Sequence, residues 1–129
     1  MSTVKLEKKE HIAWLTLNRP EKLNVLGPDM PSELKKCTEA IKNDPQIRCV
    51  IIQGAGDHFM AGGDIDHFKM LVDAYAKEGE SALPGDMFDL LHAAILNIQT
   101  MNKPVIASVQ GAVAGFGLSL MLACDLVVA

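Results

Sequence analysis

Two glycine-rich turns constrain this chain more than any other feature: Ala61-Gly62-Gly63-Asp64 and Gly115-Phe116-Gly117, each set between an apolar run and a helical pattern. Glycine reaches backbone conformations closed to other residues and lets a ligand or a second stretch of chain approach the main chain closely. A helix that begins at such a turn presents amides without internal partners, at the positive end of its dipole. Each turn is therefore a candidate anion cradle. Brought together, the two would offer two N–H donors to one developing oxyanion. Taken singly, either is equally an ordinary tight connection in an α/β chain.

The pattern around the turns alternates strands and helices. Val4 and Leu6, then Ile12, Trp14, Leu15 and Leu17, predict two short strands joined by a polar turn at 8–11. A polar loop follows over 18–24. Met30, Leu34, Cys37 and Ile41 recur at i, i+4, i+7 and i+11, predicting an amphipathic helix. Asn43-Asp44-Pro45 ends it, because proline lacks the N–H needed to continue and restricts the residue before it. Residues 49–52 predict a buried strand running into the turn at 53–56. Helical patterns over 65–75 and 87–98 flank a loop over 76–84. Residues 105–109 predict a strand, 111–117 a turn, and 118–124 a helix apolar on every side except Ser119, for which burial all round is expected. Leu126-Val127-Val128-Ala129 opens another strand, which needs cover on its faces and a partner along its edge. The expectation is that further chain, or a partner chain, completes the fold. Strand, strand, helix recurs as a unit, so the class is α/β.

Composition removes several functions. The formal net charge is −4 and the longest basic runs are the pairs Lys8-Lys9 and Lys35-Lys36, so no stripe tracks a nucleic-acid backbone. Cys37, Cys49 and Cys124 are widely spaced and form no C-x-x-C pair, which argues against a disulfide framework or a zinc site and suits a reducing cytoplasm. The first ten residues are charged rather than apolar, unlike a secretory signal. Residues 103–129 carry little charge, but Pro104, Gln110, Asp125 and several glycines make them a poor membrane span. His11, His58, His67 and His92 are scattered, without metal-ligand spacing, and read as surface or satisfied histidines. Asp86, Asp89 and His92 share a helix face, solvated by default and pocket-lining on the second reading. His67 and Asp66 follow the first glycine turn closely enough for one of them to touch a ligand. Gly117-Leu118-Ser119-Leu120-Met121 approaches the G-x-S-x-G nucleophile turn without its final glycine. Gly54-Ala55-Gly56 has Phe59 where a dinucleotide fingerprint needs its third glycine.

Four segments, in order, carry a family resemblance. They are Asn18-Arg19-Pro20-Glu21-Lys22-Leu23-Asn24, Phe59-Met60-Ala61-Gly62-Gly63-Asp64-Ile65, Lys103 through Gly111, and Gly115-Phe116-Gly117-Leu118-Ser119-Leu120 with Leu122 through Leu126. Together they resemble the enoyl-CoA hydratase/isomerase, or crotonase, superfamily over the whole chain. The resemblance implies a spiral of β-β-α units, with residues 1–129 as the N-terminal part of a single crotonase-like domain, an acyl-coenzyme A thioester as substrate, and trimers or pairs of trimers. Coenzyme A would be part of the substrate, and no metal, flavin or nicotinamide is implied. The implied oxyanion hole is the N–H of Gly63 with that of Phe116, which stands in the middle of the family's usual triple glycine. Lys22 and Leu23 would lie near the nucleotide, and Ala61, Asp64, Ile65 and Asp66 along the adenine and pantetheine channel. Arg19 and Lys22 are candidates for coenzyme A phosphates or plain loop charges.

A second departure concerns reaction type. The first of the two glutamates used by family hydratases falls at Ser119, which cannot act as a carboxylate base, and the second would fall after Ala129. Adding water across a double bond needs positioned acid/base groups, whereas moving a double bond needs one base to shuttle a proton. The expectation is thus double-bond isomerisation ahead of hydration, with the hydratase (lyase) of fatty-acid β-oxidation as the alternative. A non-catalytic coenzyme A-binding or oligomerising role is the alternative from another class.

Overall fold

In a computed structural model of the chain, residues 2–82 and 85–129 are described. Five strands form one sheet in the order β1-β2-β3-β4-β5: β1 (Val4–Lys9), β2 (Ile12–Leu17), β3 (Cys49–Gly54), β4 (Val105–Ser108) and β5 (Leu126–Val128). The first pair is the antiparallel hairpin read from the sequence, with Val4 opposite Leu17 and Lys9 opposite Ile12. All later pairings are parallel, Ala13 facing Val50, Val50 facing Val105, and Ala107 facing Val127. Strand β2 alternates buried Ala13, Leu15 and Leu17 with half-buried neighbours, so its period-two pattern aims one face at the core.

Four α-helices join the strands: α1 (Met30–Lys42), α2 (Ile65–Glu78), α3 (Met87–Thr100) and α4 (Phe116–Ala123). The stripe read for α1 is its buried face, with Met30, Leu34 and Ile41 nearly inaccessible and Cys37 half-buried. Helix α3 packs along α1 through Leu91, Ala94 and Ile98. Phe59 and Met60, fully buried, pin the segment after β3 into the same core.

Between strand and helix the chain makes a smaller second ladder. Leu26 bridges Gly63 and Met60 bridges Val113, both in parallel. Each turn of the spiral is thus a long strand, one or two bridging residues at right positions in a minor ladder, and a helix: β2 to Leu26 to α1, β3 to Met60 and Gly63 to α2, β4 to Val113 to α4. This is the recurring unit expected from the sequence, and it stacks the glycine turns side by side.

Some expectations need correction. The loop expected over 76–84 is shorter, because α2 runs on to Glu78 and a 3-10 turn spans Gly79–Ala82; Leu83 and Pro84 lie outside the described residues. Helix α4 starts at Phe116 rather than Leu118, placing Phe116 in its first turn. Its burial all round does not hold: Gly117 and Leu120 are buried, whereas Leu118 is 43% and Leu122 68% exposed. Apolarity set the expectation, but among the described residues only one flank of α4 meets a packing partner. Strand β5 pairs with β4 along one edge and exposes all three residues.

Candidate functional site

The two glycine turns touch. A Cβ placed on Gly115 would stand 3.1 Å from the Gly62 Cα, and one on Gly62 would stand 3.3 Å from the Ala114 carbonyl oxygen. Gly62 and Gly115 both have positive φ, at 104° and 55°, so a side chain at either position would be strained as well as crowded. A Cβ on Gly117 would run into the Met60 carbonyl oxygen, which is why α4 can approach the β3–α2 segment so closely.

The minor ladder orients the first amide. Leu26 donates to the Gly62 carbonyl at 2.8 Å and accepts from the Asp64 N–H at 3.2 Å. In a parallel bridge of this kind the central residue turns its own N–H to the opposite side. The Gly63 N–H therefore points away from Leu26. The Phe116 N–H belongs to the first turn of α4, where helices leave amides unpaired. Neither amide donates to another backbone group among the described residues.

Gly63 and Phe116 line one cavity of about 530 Å³. Leu26, Phe68, Met87, Phe88, Leu91 and Ile95 form its apolar wall, and among the described residues the only polar side chains on it are His92 and Ser119. A site of this size and character, mostly apolar with a few converging polar groups, is what small-molecule sites look like. A neighbouring apolar cavity of about 750 Å³, between α2 and the start of α3, shares Phe68, Met87 and Phe88 with it.

The other residues singled out in the sequence take varied places. Asp64 is buried, and its carboxylate is fully committed. Oδ1 caps α2 by accepting from the Asp66 and His67 amides at 3.0 and 3.2 Å, and Oδ2 meets the Arg19 guanidinium at 3.1 Å. Burial would push its pKa up, but the Arg19 bond, the His67 amide and the positive charge of Arg19 and Lys22 outweigh it and hold the carboxyl below its ordinary range. Arg19 also donates to the Val25 carbonyl at 2.7 Å, so it faces inward rather than toward a phosphate. Lys22 lies on a 3-10 turn over Pro20–Lys22 and pairs with Asp66 at 3.1 Å, an exposed contact. Leu23, next to it, is 43% exposed with a left-handed φ of 54°. Ala61 donates to the Leu23 carbonyl at 3.0 Å, joining the two segments, and Ile65 is largely exposed at the start of α2. His67 and Asp86 line a separate small cavity of about 110 Å³, and Asp89 lines neither. The helix face read as solvated therefore divides, with His92 alone on the central cavity.

One structural residue was not singled out. Asn24 is fully buried with φ 54°; its amide donates to the Ala55 and His58 carbonyls, and its oxygen accepts from the Arg19 N–H at 2.7 Å. The local signal was present, since asparagine tolerates left-handed backbone and bonds locally better than most residues. Among the described residues, no group of three His, Cys, Asp or Glu side chains is placed to hold a metal ion, and no helix is long and apolar enough to cross a membrane.

Known proteins resemble this chain in sequence and in fold. The chain is 40% identical over 121 residues to the crotonyl-CoA hydratase of Syntrophomonas wolfei, covering 93% of this chain and 44% of the relative. It is 35% identical over 118 residues to the 1,2-epoxyphenylacetyl-CoA isomerase of Escherichia coli, covering 92% and 44%. Among solved structures, an enoyl-CoA hydratase from Polaromonas superposes with a TM-score of 0.81 at 39% identity, covering 96% of this chain and 46% of that one. The chain thus spans a little under half the length of the relatives it matches, and its fold is the crotonase fold over that span. The enoyl-CoA hydratase/isomerase family model matches residues 7–129, and this chain belongs to that family.

Proposed function

We propose that the protein acts on an acyl-coenzyme A thioester, stabilising its enolate between the N–H groups of Gly63 and Phe116, with double-bond isomerisation ahead of hydration. The observation that carries this is the pair of amides, both without a backbone acceptor among the described residues, on the wall of one apolar cavity. Preorganised donors aimed at developing negative charge are strong catalysts in such a site, each worth about 3 to 4 kcal/mol of transition-state stabilisation. Enolate chemistry held this way needs no metal, flavin or nicotinamide.

Coenzyme A runs from the cavity along Ala61, Ile65 and Asp66 toward Lys22 and Leu23. Asp64 acts on this channel as a positioning residue, since its carboxylate holds the turn together rather than facing outward. The Lys22–Asp66 pair is exposed, and such pairs are worth about 0 to 1 kcal/mol, so a phosphate can take Lys22 from Asp66 at little cost. Assembly as a trimer or a pair of trimers in the cytoplasm completes the proposal. The apolar surface left open on α4 and β5, including Leu122, Leu126 and Val128, needs cover that a partner subunit or further chain would supply.

Isomerisation leads because Ser119, the position at which the family resemblance implies the first hydratase glutamate, lines the cavity. A neutral hydroxyl does not activate water as a carboxylate does. Hydration is the second reading, favoured by the 40% identity to a crotonyl-CoA hydratase. Giving the protein a 3-enoyl-CoA and, separately, a 2-enoyl-CoA in deuterated water decides between them. The expected result is α-deuteration and double-bond migration exceeding 3-hydroxyacyl product; the reverse order favours hydration. Thioester binding with neither product nor exchange would leave a non-catalytic binding role.

A further inference from the structure

We propose that His92 is the proton carrier of this site, removing the α-proton of the bound thioester and returning it further along the acyl chain; the assignment rests on the enolate reading above. Apart from Ser119, His92 is the only polar side chain among the described residues on the cavity that Gly63 and Phe116 line. A serine hydroxyl is far too weak a base for the task, whereas an imidazole changes charge near neutral pH, where a general acid/base works best.

The helix fixes its place. Burial of Leu91, Ala94 and Ile98 sets the rotation of α3 on the core. Phe88, His92 and Ile95, at i−4, i and i+3, then form one continuous stripe along the cavity wall. The imidazole is presented from the rigid middle of a helix rather than from a loop. Its own helix carries Asp89 one turn earlier, and the cavity-lining residues contributed by α2, α4 and the segments at Leu26 and Gly63 are all uncharged.

The step balances without a co-reactant. A neutral imidazole nitrogen takes the C2 proton of a 3-enoyl thioester. The C–H electron pair forms the C1–C2 π bond, and the carbonyl π pair moves onto oxygen, between the two amides. The carbonyl then re-forms, the C1–C2 pair shifts to C2–C3, and the former C3–C4 pair takes the proton back at C4 from the imidazolium. The 2-enoyl product and neutral His92 result.

The test compares the whole protein with its His92→Gln and His92→Ala variants, reading α-proton exchange and isomerisation against pH. Wild-type exchange is expected to rise with pH to a plateau, with one inflection. His92→Gln is expected to lose at least about a hundredfold in kcat, with KM little changed and the inflection gone. Added imidazole is expected to restore part of the His92→Ala rate. His92 lies on the exposed side of α3, so both variants should keep the wild-type circular dichroism and melting temperature. Exchange in His92→Gln at the wild-type rate and pH profile, or no rescue of His92→Ala by imidazole, overturns the assignment. A wild-type protein that binds a CoA thioester yet exchanges nothing sinks the enolate reading itself.

Discussion

Arg19 and Asp64, 45 positions apart, meet at 3.1 Å beneath the first glycine turn, with side chains only 16% and 9% exposed. The pair ties the loop after β2 to the start of α2, and Gly63 lies directly before the tied residue. Removing either partner leaves the other without its counter-ion in a largely buried place, and removing Asp64 also uncaps α2. Asp64→Ala is expected to lower unfolding free energy by about 2 to 4 kcal/mol, and Arg19→Ala by a comparable amount. Chemical denaturation of each variant checks this. In the double variant the losses should fall short of their sum, because the two residues share one interaction.

The same carboxylate predicts an acid limb. Its folded pKa is held below the unfolded value of about 3.9. Its contribution is therefore present above about pH 4 and disappears as pH falls through the folded value. Asp64→Asn keeps a capping oxygen but loses the charge. The stability gap between wild type and Asp64→Asn should be widest at neutral pH and close progressively below pH 4.

Gly63 and Gly117 are both crowded, but against different neighbours. A Cβ on Gly63 meets the outer edge of the Phe68 ring, which can swing aside, while a Cβ on Gly117 meets the Met60 backbone. Gly117→Ala should cost about 1 to 3 kcal/mol of stability or more. Gly63→Ala should melt near wild type while losing activity, because the displaced Phe68 ring lines both cavities. Melting curves alongside turnover separate the two effects.

Cys124, at the end of α4, has its thiol pushed up to about 12, by burial first and by the adjacent Asp125 second. The thiolate is the reactive form, so at pH 8 the folded protein should be alkylated at this position at least about a hundredfold more slowly than the unfolded chain. Mass spectrometry after a timed exposure to iodoacetamide measures it. The raised value also means that stability is lost, relative to neutral pH, once the medium rises above the unfolded thiol's pKa of about 8.5.

Periodicity made most of the frame legible. The α1 stripe, the β1–β2 hairpin and the parallel strands follow from apolar spacing that any neighbour would have to bury. The glycine turns were legible too, because glycine is the residue best suited to the φ of 104° at Gly62 and the φ of 55° with ψ of −125° at Gly115. What escaped depended on partners distant in sequence. Arg19 read as a coenzyme A phosphate contact or a loop charge, Asp64 as a channel-lining residue and Asn24 as part of a polar loop, until the fold brings carbonyls and a counter-ion to them. His92 read as solvated because helical spacing gives a shared face without saying what that face meets. Helix α4 failed in the opposite sense, its composition announcing burial that one flank does not find within this chain.

The proposed binding of a single oxygen by Gly63 and Phe116 is tested most directly with labelled amides. With 15N in the backbone and 13C at the carbonyl of a bound, unreactive acyl-CoA, both amide protons should move downfield together, and the carbonyl carbon should shift as its oxygen gains donors. Movement of only one amide, or a thioester that binds while both amides and its own carbonyl stay at their free positions, would contradict it.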